Sequence, residues 1–147
     1  MSHPENGGTK FSRKGSSIYE ALCATDRHPS AETLYRQLRE TFPNLSRTTV
    51  YTNLNRLREQ GSVICVGVVD GCERYDANTT PHPHFFCDRC GAVLDFHGLE
   101  GLQELIRGAE RDSACRIQGY DLRFHGLCAA CAAEQDSLKL TEPYPSK

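Results

Sequence analysis

The sequence predicts an α+β chain: an N-terminal winged helix-turn-helix domain, then a small α/β domain stapled by zinc in a four-cysteine site. Three observations predict it. Three helical patterns run straight into a β-hairpin pattern in the first half, and two Cys-x-x-Cys pairs, Cys87/Cys90 and Cys128/Cys131, bracket the second. Charge also changes sign: residues 1–60 hold nine Lys/Arg against six Asp/Glu, the remainder eight against thirteen.

The first helix is expected over Ser16 to Cys23, where Ile18, Ala21 and Leu22 recur at helical spacing. Pro29-Ser30 opens the second, with Ser30 as N-cap and Ala31, Leu34, Tyr35 and Leu38 on one face. Pro43-Asn44 ends it. Ser46 caps the third helix, which runs to about Gln60 before Gly61. Beyond Gly61 the period becomes two: Val63–Val66 and Cys72–Tyr75 flank Asp70-Gly71, a hairpin turn signal. This half is expected to span 1–77, and 78–83 reads as a hinge.

Strand patterns return at His84–Cys87 and Ala92–Phe96. Leu99, Leu102, Leu105 and Ile106 mark an amphipathic helix, and Tyr120–Phe124 a last strand. A unit over 84–136 is too small to stand without a staple or a partner copy, so zinc and a homodimer are both expected. The stretch 137–147 reads as a flexible tail.

On the third helix Val50, Leu54 and Leu57 form a narrow apolar stripe. Thr48, Thr52 and Asn55 lie opposite, with Tyr51 on the flank. Hydroxyls, an amide and a phenol can meet base edges and thymine methyls in a major groove of double-stranded DNA. Arg47, Arg56 and Arg58 suit phosphates. A basic front half and an acidic back half fit a protein that touches nucleic acid at one end.

Thirty-seven residues separate the two knuckles, more than a compact zinc ribbon needs, and a strand-helix-strand insertion accounts for them. Cys23, Cys65, Cys72 and Cys115 fall inside helix or strand patterns and are expected to be buried, small apolar residues. His82 and His84 flank one proline and can project to the same side of an extended segment. Asp76 and Asp95, at strand ends, are candidate partners. A site of imidazoles and carboxylates is harder than four thiolates and suits Fe(II) or Mn(II), although Zn(II) and Co(II) also fit. Nothing approaches a membrane span and the N-terminus has no apolar signal region, so a cytoplasmic protein without disulfides is expected.

Taken together, nearly the whole chain resembles the ferric-uptake regulator superfamily. The matching stretches are His28-Pro29-Ser30-Ala31, Ser46-Arg47-Thr48-Thr49-Val50-Tyr51-x-Asn53-Leu54, Glu73-Arg74-Tyr75-Asp76, and His82-x-His84-Phe85-x-Cys87-x-x-Cys90-Gly91, completed by Cys128-x-x-Cys131. The resemblance implies a homodimeric winged-helix repressor, not an enzyme, with a structural zinc and a regulatory metal on His28, Asp76, His82, His84 and Asp95. Spacing alone does not single out His28.

Within the superfamily the chain looks most like the peroxide-sensing PerR branch, through the short carboxylate at Asp95 and through Asn53. That similarity implies a repressor bound to a palindromic operator. Hydrogen peroxide, the only small molecule it would meet as a signal, oxidises His28 and His82 when Fe(II) is bound. Pro83 and Leu127 stand where a third metal site of some relatives has ligands, and Gly15 stands where an arginine is usual. Competing readings are an iron-responsive repressor using the same site reversibly, and a zinc-uptake regulator. From other classes come a thiol redox protein and a hydrolytic zinc enzyme; the last needs an open zinc position and a general base.

Overall fold

A computed structural model of the chain describes residues 12–141, the side chains of 139–141 excepted. Residues 1–11 of the expected first half and residues 142–147 of the expected tail lie outside the described residues. The chain divides after Thr79 into two compact units.

The first unit contains α1 (Arg13–Cys23), α2 (Ala31–Arg39), α3 (Arg47–Glu59), β1 (Ile64–Val69) and β2 (Cys72–Asp76). Each helix starts on a serine whose hydroxyl accepts an otherwise unmatched backbone N–H: Ser12 from Gly15, Ser30 from Thr33 and Ser46 from Thr49. Helix α1 thus begins one turn earlier than its apolar spacing suggested, because Ser12 caps a polar first turn that periodicity does not register. The far end of α3 closes on Gly61 at φ 70°, with Gly61 N–H donating to Arg58 O and Ser62 N–H to Leu57 O, both at 2.9 Å. Asp70 and Gly71 both adopt positive φ, 51° and 75°, as a two-residue hairpin turn requires. The core joins Ile18 and Leu22 of α1, Leu34 and Leu38 of α2, and Val50, Leu54 and Leu57 of α3 to Val63 and Tyr75 of the hairpin.

In the second unit β3 (His84–Cys87) is the central strand, with β4 (Val93–Asp95) antiparallel on one side and β5 (Arg123–Gly126) parallel on the other. A parallel neighbour demands a long crossover, which contains α4 (Leu102–Ser113). The last strand lies further along than Tyr120–Phe124, because its register is set by pairing across β3: His84 faces Arg123 and Cys87 faces Gly126. Leu99 stays outside α4, which starts after Gly101 at φ 81°. Helix α5 (Ala129–Thr141) carries helical backbone into the stretch expected to be a flexible tail. Its run of alanines with Glu134 and Gln135 has high helix propensity, which favours the helix continuing past residue 137.

The four spare cysteines correct a further expectation. Cys23, Cys72 and Cys115 are exposed and Cys65 is half-buried. Sequence periodicity places Cys23, Cys65 and Cys72 on a helix or strand without saying which face is covered, while Cys115 lies just beyond the end of α4, outside any element. Among the described residues no helix is long and apolar enough to cross a membrane.

Candidate metal centres and reading helix

Cys87 ends β3, and the turn through Gly91 (φ 72°) brings Cys90 back beside it. The parallel register of β5 delivers Cys128 to the same place, where its N–H donates to Cys87 Sγ at 3.4 Å; Cys131 follows on the first turn of α5. All four sulfurs lie within 4.8 Å of one another, and Cys90 and Cys128 are 3.8 Å apart. Tetrahedral zinc with Zn–S bonds of about 2.3 Å needs sulfurs about 3.8 Å apart, so the donor set fits zinc. The electrostatics point the same way. Backbone N–H groups of Cys90 and Cys128 pull the Cys87 thiol down to about 6, whereas burial, reinforced by the neighbouring thiols, pushes Cys131 up to about 12. Four thiols this close would ionise together only around a cation, the role zinc would fill.

On the same sheet, β3 and β4 place His84 directly opposite Asp95. His84 Nε2 stands 3.3 Å from Asp95 Oδ1, and His82 Nε2 stands 3.0 Å from that same oxygen. The two imidazole centroids are 4.3 Å apart. His82 Nδ1 meets the Thr80 carbonyl at 2.7 Å, which orients the ring and leaves Nε2 turned toward Asp95. Neutral nitrogen and carboxylate oxygen make this donor set suited to a hard or borderline divalent ion.

In the first unit, His28 Nδ1 lies 3.6 Å from Asp76 Oδ2, and both residues are buried. His28 adopts φ 49°, a left-handed conformation uncommon for a side-chain-bearing residue. Strand β2 holds it there: Arg74 Nη1 donates to the His28 carbonyl at 3.0 Å, and Tyr75 N–H to the Pro29 carbonyl at 3.2 Å. The other Asp76 oxygen accepts Asn78 N–H at 2.7 Å. The contiguous run Glu73-Arg74-Tyr75-Asp76 therefore both supports the His28 loop and presents a carboxylate to it.

Along α3, Arg47, Thr48, Tyr51, Thr52, Asn55 and Arg56 are all exposed, opposite or beside the buried Val50–Leu54–Leu57 stripe. Asn53 faces inward, its Nδ2 donating to Thr49 O at 2.8 Å. Two arginines have partners that the sequence did not reveal. Arg58 Nη1 reaches Glu73 at 3.1 Å. Arg47 forks onto Glu32 of α2, and these hydrogen bonds hold the Glu32 carboxyl below its ordinary value. Glu32 and Glu73 carry no local signal for such roles, because each meets its arginine only through the packing of separate elements.

Most of the chain is similar to known proteins. A sequence model of the ferric uptake regulator family matches residues 6–125. The chain is 33% identical over 129 residues to the peroxide operon regulator of Bacillus subtilis (strain 168), covering 88% of each chain. Among solved structures, the Campylobacter jejuni peroxide stress regulator superposes with a TM-score of 0.69 at 27% identity, over 80% of this chain and 88% of that one. A zinc uptake regulator complexed with zinc and DNA superposes with a TM-score of 0.60 at 27% identity, over 86% of each.

Proposed function

The chain belongs to the ferric uptake regulator family, and from that premise we propose that it is a cytoplasmic, homodimeric, metal-dependent DNA-binding repressor that senses hydrogen peroxide. The observation that carries the reading is the arrangement at His82, whose Nδ1 is engaged by Thr80 while Nε2 turns toward Asp95 beside His84. Similarity to the B. subtilis peroxide operon regulator supports the choice of signal.

Cys87, Cys90, Cys128 and Cys131 would hold a structural zinc. His28 and Asp76 of the reading unit, with His82, His84 and Asp95 of the second, would hold one Fe(II) or Mn(II). Sharing one ion ties the two units together and selects the arrangement that fits a palindromic operator, by its differential affinity for that arrangement. Bound Fe(II) would supply electrons that cleave the O–O bond of peroxide, chemistry that Mn(II) does not readily supply. His28 and His82 are the residues oxidised. In net terms an imidazole C–H and one hydrogen peroxide give the oxygenated ring and one water. The oxygenated ring has lost aromatic nitrogen basicity, so it no longer serves as a ligand and the operator is released.

On α3, Thr48, Tyr51, Thr52 and Asn55 would meet base edges, with Arg47 and Arg56 beside them on the backbone. Leu94, Phe96, Leu105 and Phe124 of the second unit are exposed, an apolar surface that a second copy would cover.

The test is peptide mass spectrometry after loading with Fe(II) or Mn(II) and adding stoichiometric hydrogen peroxide, with DNA binding followed in parallel. One added oxygen on the His28 or His82 peptide, with iron only and together with DNA release, is the expected result. Unmodified histidines, with DNA binding that tracks iron alone, would replace this reading by an iron-responsive repressor. Oxidation confined to cysteines would make the protein a thiol switch.

A further inference from the structure

Arg47 is the first residue of α3, directly after the Ser46 cap, and shares a flank of the helix with Tyr51 one turn on. The N-terminal residues of a reading helix are those nearest the base edges. Its guanidinium is held in two ways. Nε donates to Glu32 Oε2 at 2.8 Å and Nη2 to Glu32 Oε1 at 3.0 Å, the side-on fork of an arginine on a carboxylate. Its Cζ also lies over the Tyr35 ring, 4.4 Å from the ring centre.

The side-on fork uses two of five N–H donors. The end-on edge, formed by Nη1 and the second Nη2 hydrogen, has no hydrogen-bond partner among the described residues, and the side chain remains 60% exposed. An arginine fixed at one edge and one face, with its end-on pair pointing outward, is prepared for a planar acceptor pair. The O6 and N7 atoms of guanine offer that pair in the major groove. A phosphate can also accept two N–H bonds from an arginine, so it is the place of Arg47 at the N-terminal end of α3, where side chains meet base edges, that favours guanine.

We infer that Arg47 reads a guanine in the operator half-site and that Glu32, aided by Tyr35, is the positioning residue that makes this reading specific. The inference rests on the DNA-binding reading and replaces a phosphate role for Arg47 with a base-reading one. The carboxylate also partly neutralises the guanidinium, so its contribution to non-specific attraction is small.

The experiment is selection of preferred sites from a random duplex library by the full-length, Mn(II)-loaded protein, comparing wild type with Glu32→Gln and Arg47→Lys. Both variants keep the bulk of the side chain, and Arg47→Lys keeps its charge without the fork. We expect one G·C position per half-site in the wild-type profile whose preference falls by about tenfold or more in both variants, while the other positions keep theirs. Those retained preferences are the internal control for folding. A wild type that selects no sequence would overturn DNA recognition and this inference together. A selective wild type whose profile is unchanged in Glu32→Gln, or a variant weakened or strengthened equally at all positions, overturns the buttressed arginine alone.

Discussion

The Tyr75 hydroxyl donates to Glu73 Oε2 at 2.8 Å, and the other Glu73 oxygen receives Arg58 from α3 at 3.1 Å. Tyr75 is a core residue of β2, so one side chain links the hydrophobic interior to an ion pair on α3. The Tyr75 hydrogen bond lowers the Glu73 carboxyl, while burial and then Glu73 raise the Tyr75 phenol.

Removing the hydroxyl in Tyr75→Phe should destabilise the protein by about 1 kcal/mol at neutral pH, the usual net worth of such a bond. The pH dependence has a fixed sign. A lowered carboxyl contributes stability that is complete above its unfolded value and disappears as pH falls through the folded one. A raised phenol contributes stability that disappears as pH rises through its folded value. The difference between wild type and variant should therefore be largest around neutrality and shrink in acid. Urea titrations at several pH values check this, and an equal difference at neutral and strongly acidic pH contradicts it.

Stripping zinc from the full-length protein should dissolve the second unit and spare the first. Structural four-thiolate sites contribute on the order of 10 kcal/mol, and the buried side chains Phe86, Cys87, Val93 and Cys131 make only a small core around the knuckles. Hydrogen exchange should show lost protection over β3, β4 and β5 with α1 to α3 intact. Protection retained across the sheet after complete zinc removal would rule this out.

His82→Ala should weaken Mn(II) binding by at least about 10–100-fold, comparable to the loss of a supporting partner at other metal sites, without changing zinc content. Calorimetry with Mn(II) alongside elemental analysis separates the two sites. Unaltered Mn(II) affinity would remove His82 from the ligand set.

Ser46→Ala should cost about 1 kcal/mol through loss of the N-cap of α3. The Ser46 hydroxyl accepts Thr49 N–H at 3.1 Å and also meets the Thr49 hydroxyl at 2.8 Å. Thermal denaturation gives the cost, and a variant as stable as wild type would show that the cap contributes nothing.

Much of this protein can be read from the residues in order. Serine caps, Gly61 and Asp70-Gly71 mark element ends because they act locally, through hydrogen bonds and backbone torsions within a few positions. The Val50–Leu54–Leu57 stripe separates the buried and exposed faces of α3 for the same reason. The cysteine knuckles are recognisable because two cysteines with two residues between them can supply half of a tetrahedral site. The exposed Cys23 and Cys72 went the other way, since element type does not dictate which face another element covers, and Cys115 because it falls past the end of α4.

The sequence by itself determined the order of elements from α1 to β5, the two cysteine knuckles and the pairing of His82 with His84 on one extended segment, all consequences of short-range geometry. Only the tertiary structure decided the parallel register that brings Cys128 to Cys87, the left-handed His28 held by Arg74 and Tyr75, and the fork of Arg47 onto Glu32. Each of these joins residues far apart in the chain. Contacts of that kind arise from how separate elements pack, and packing depends on every face at once.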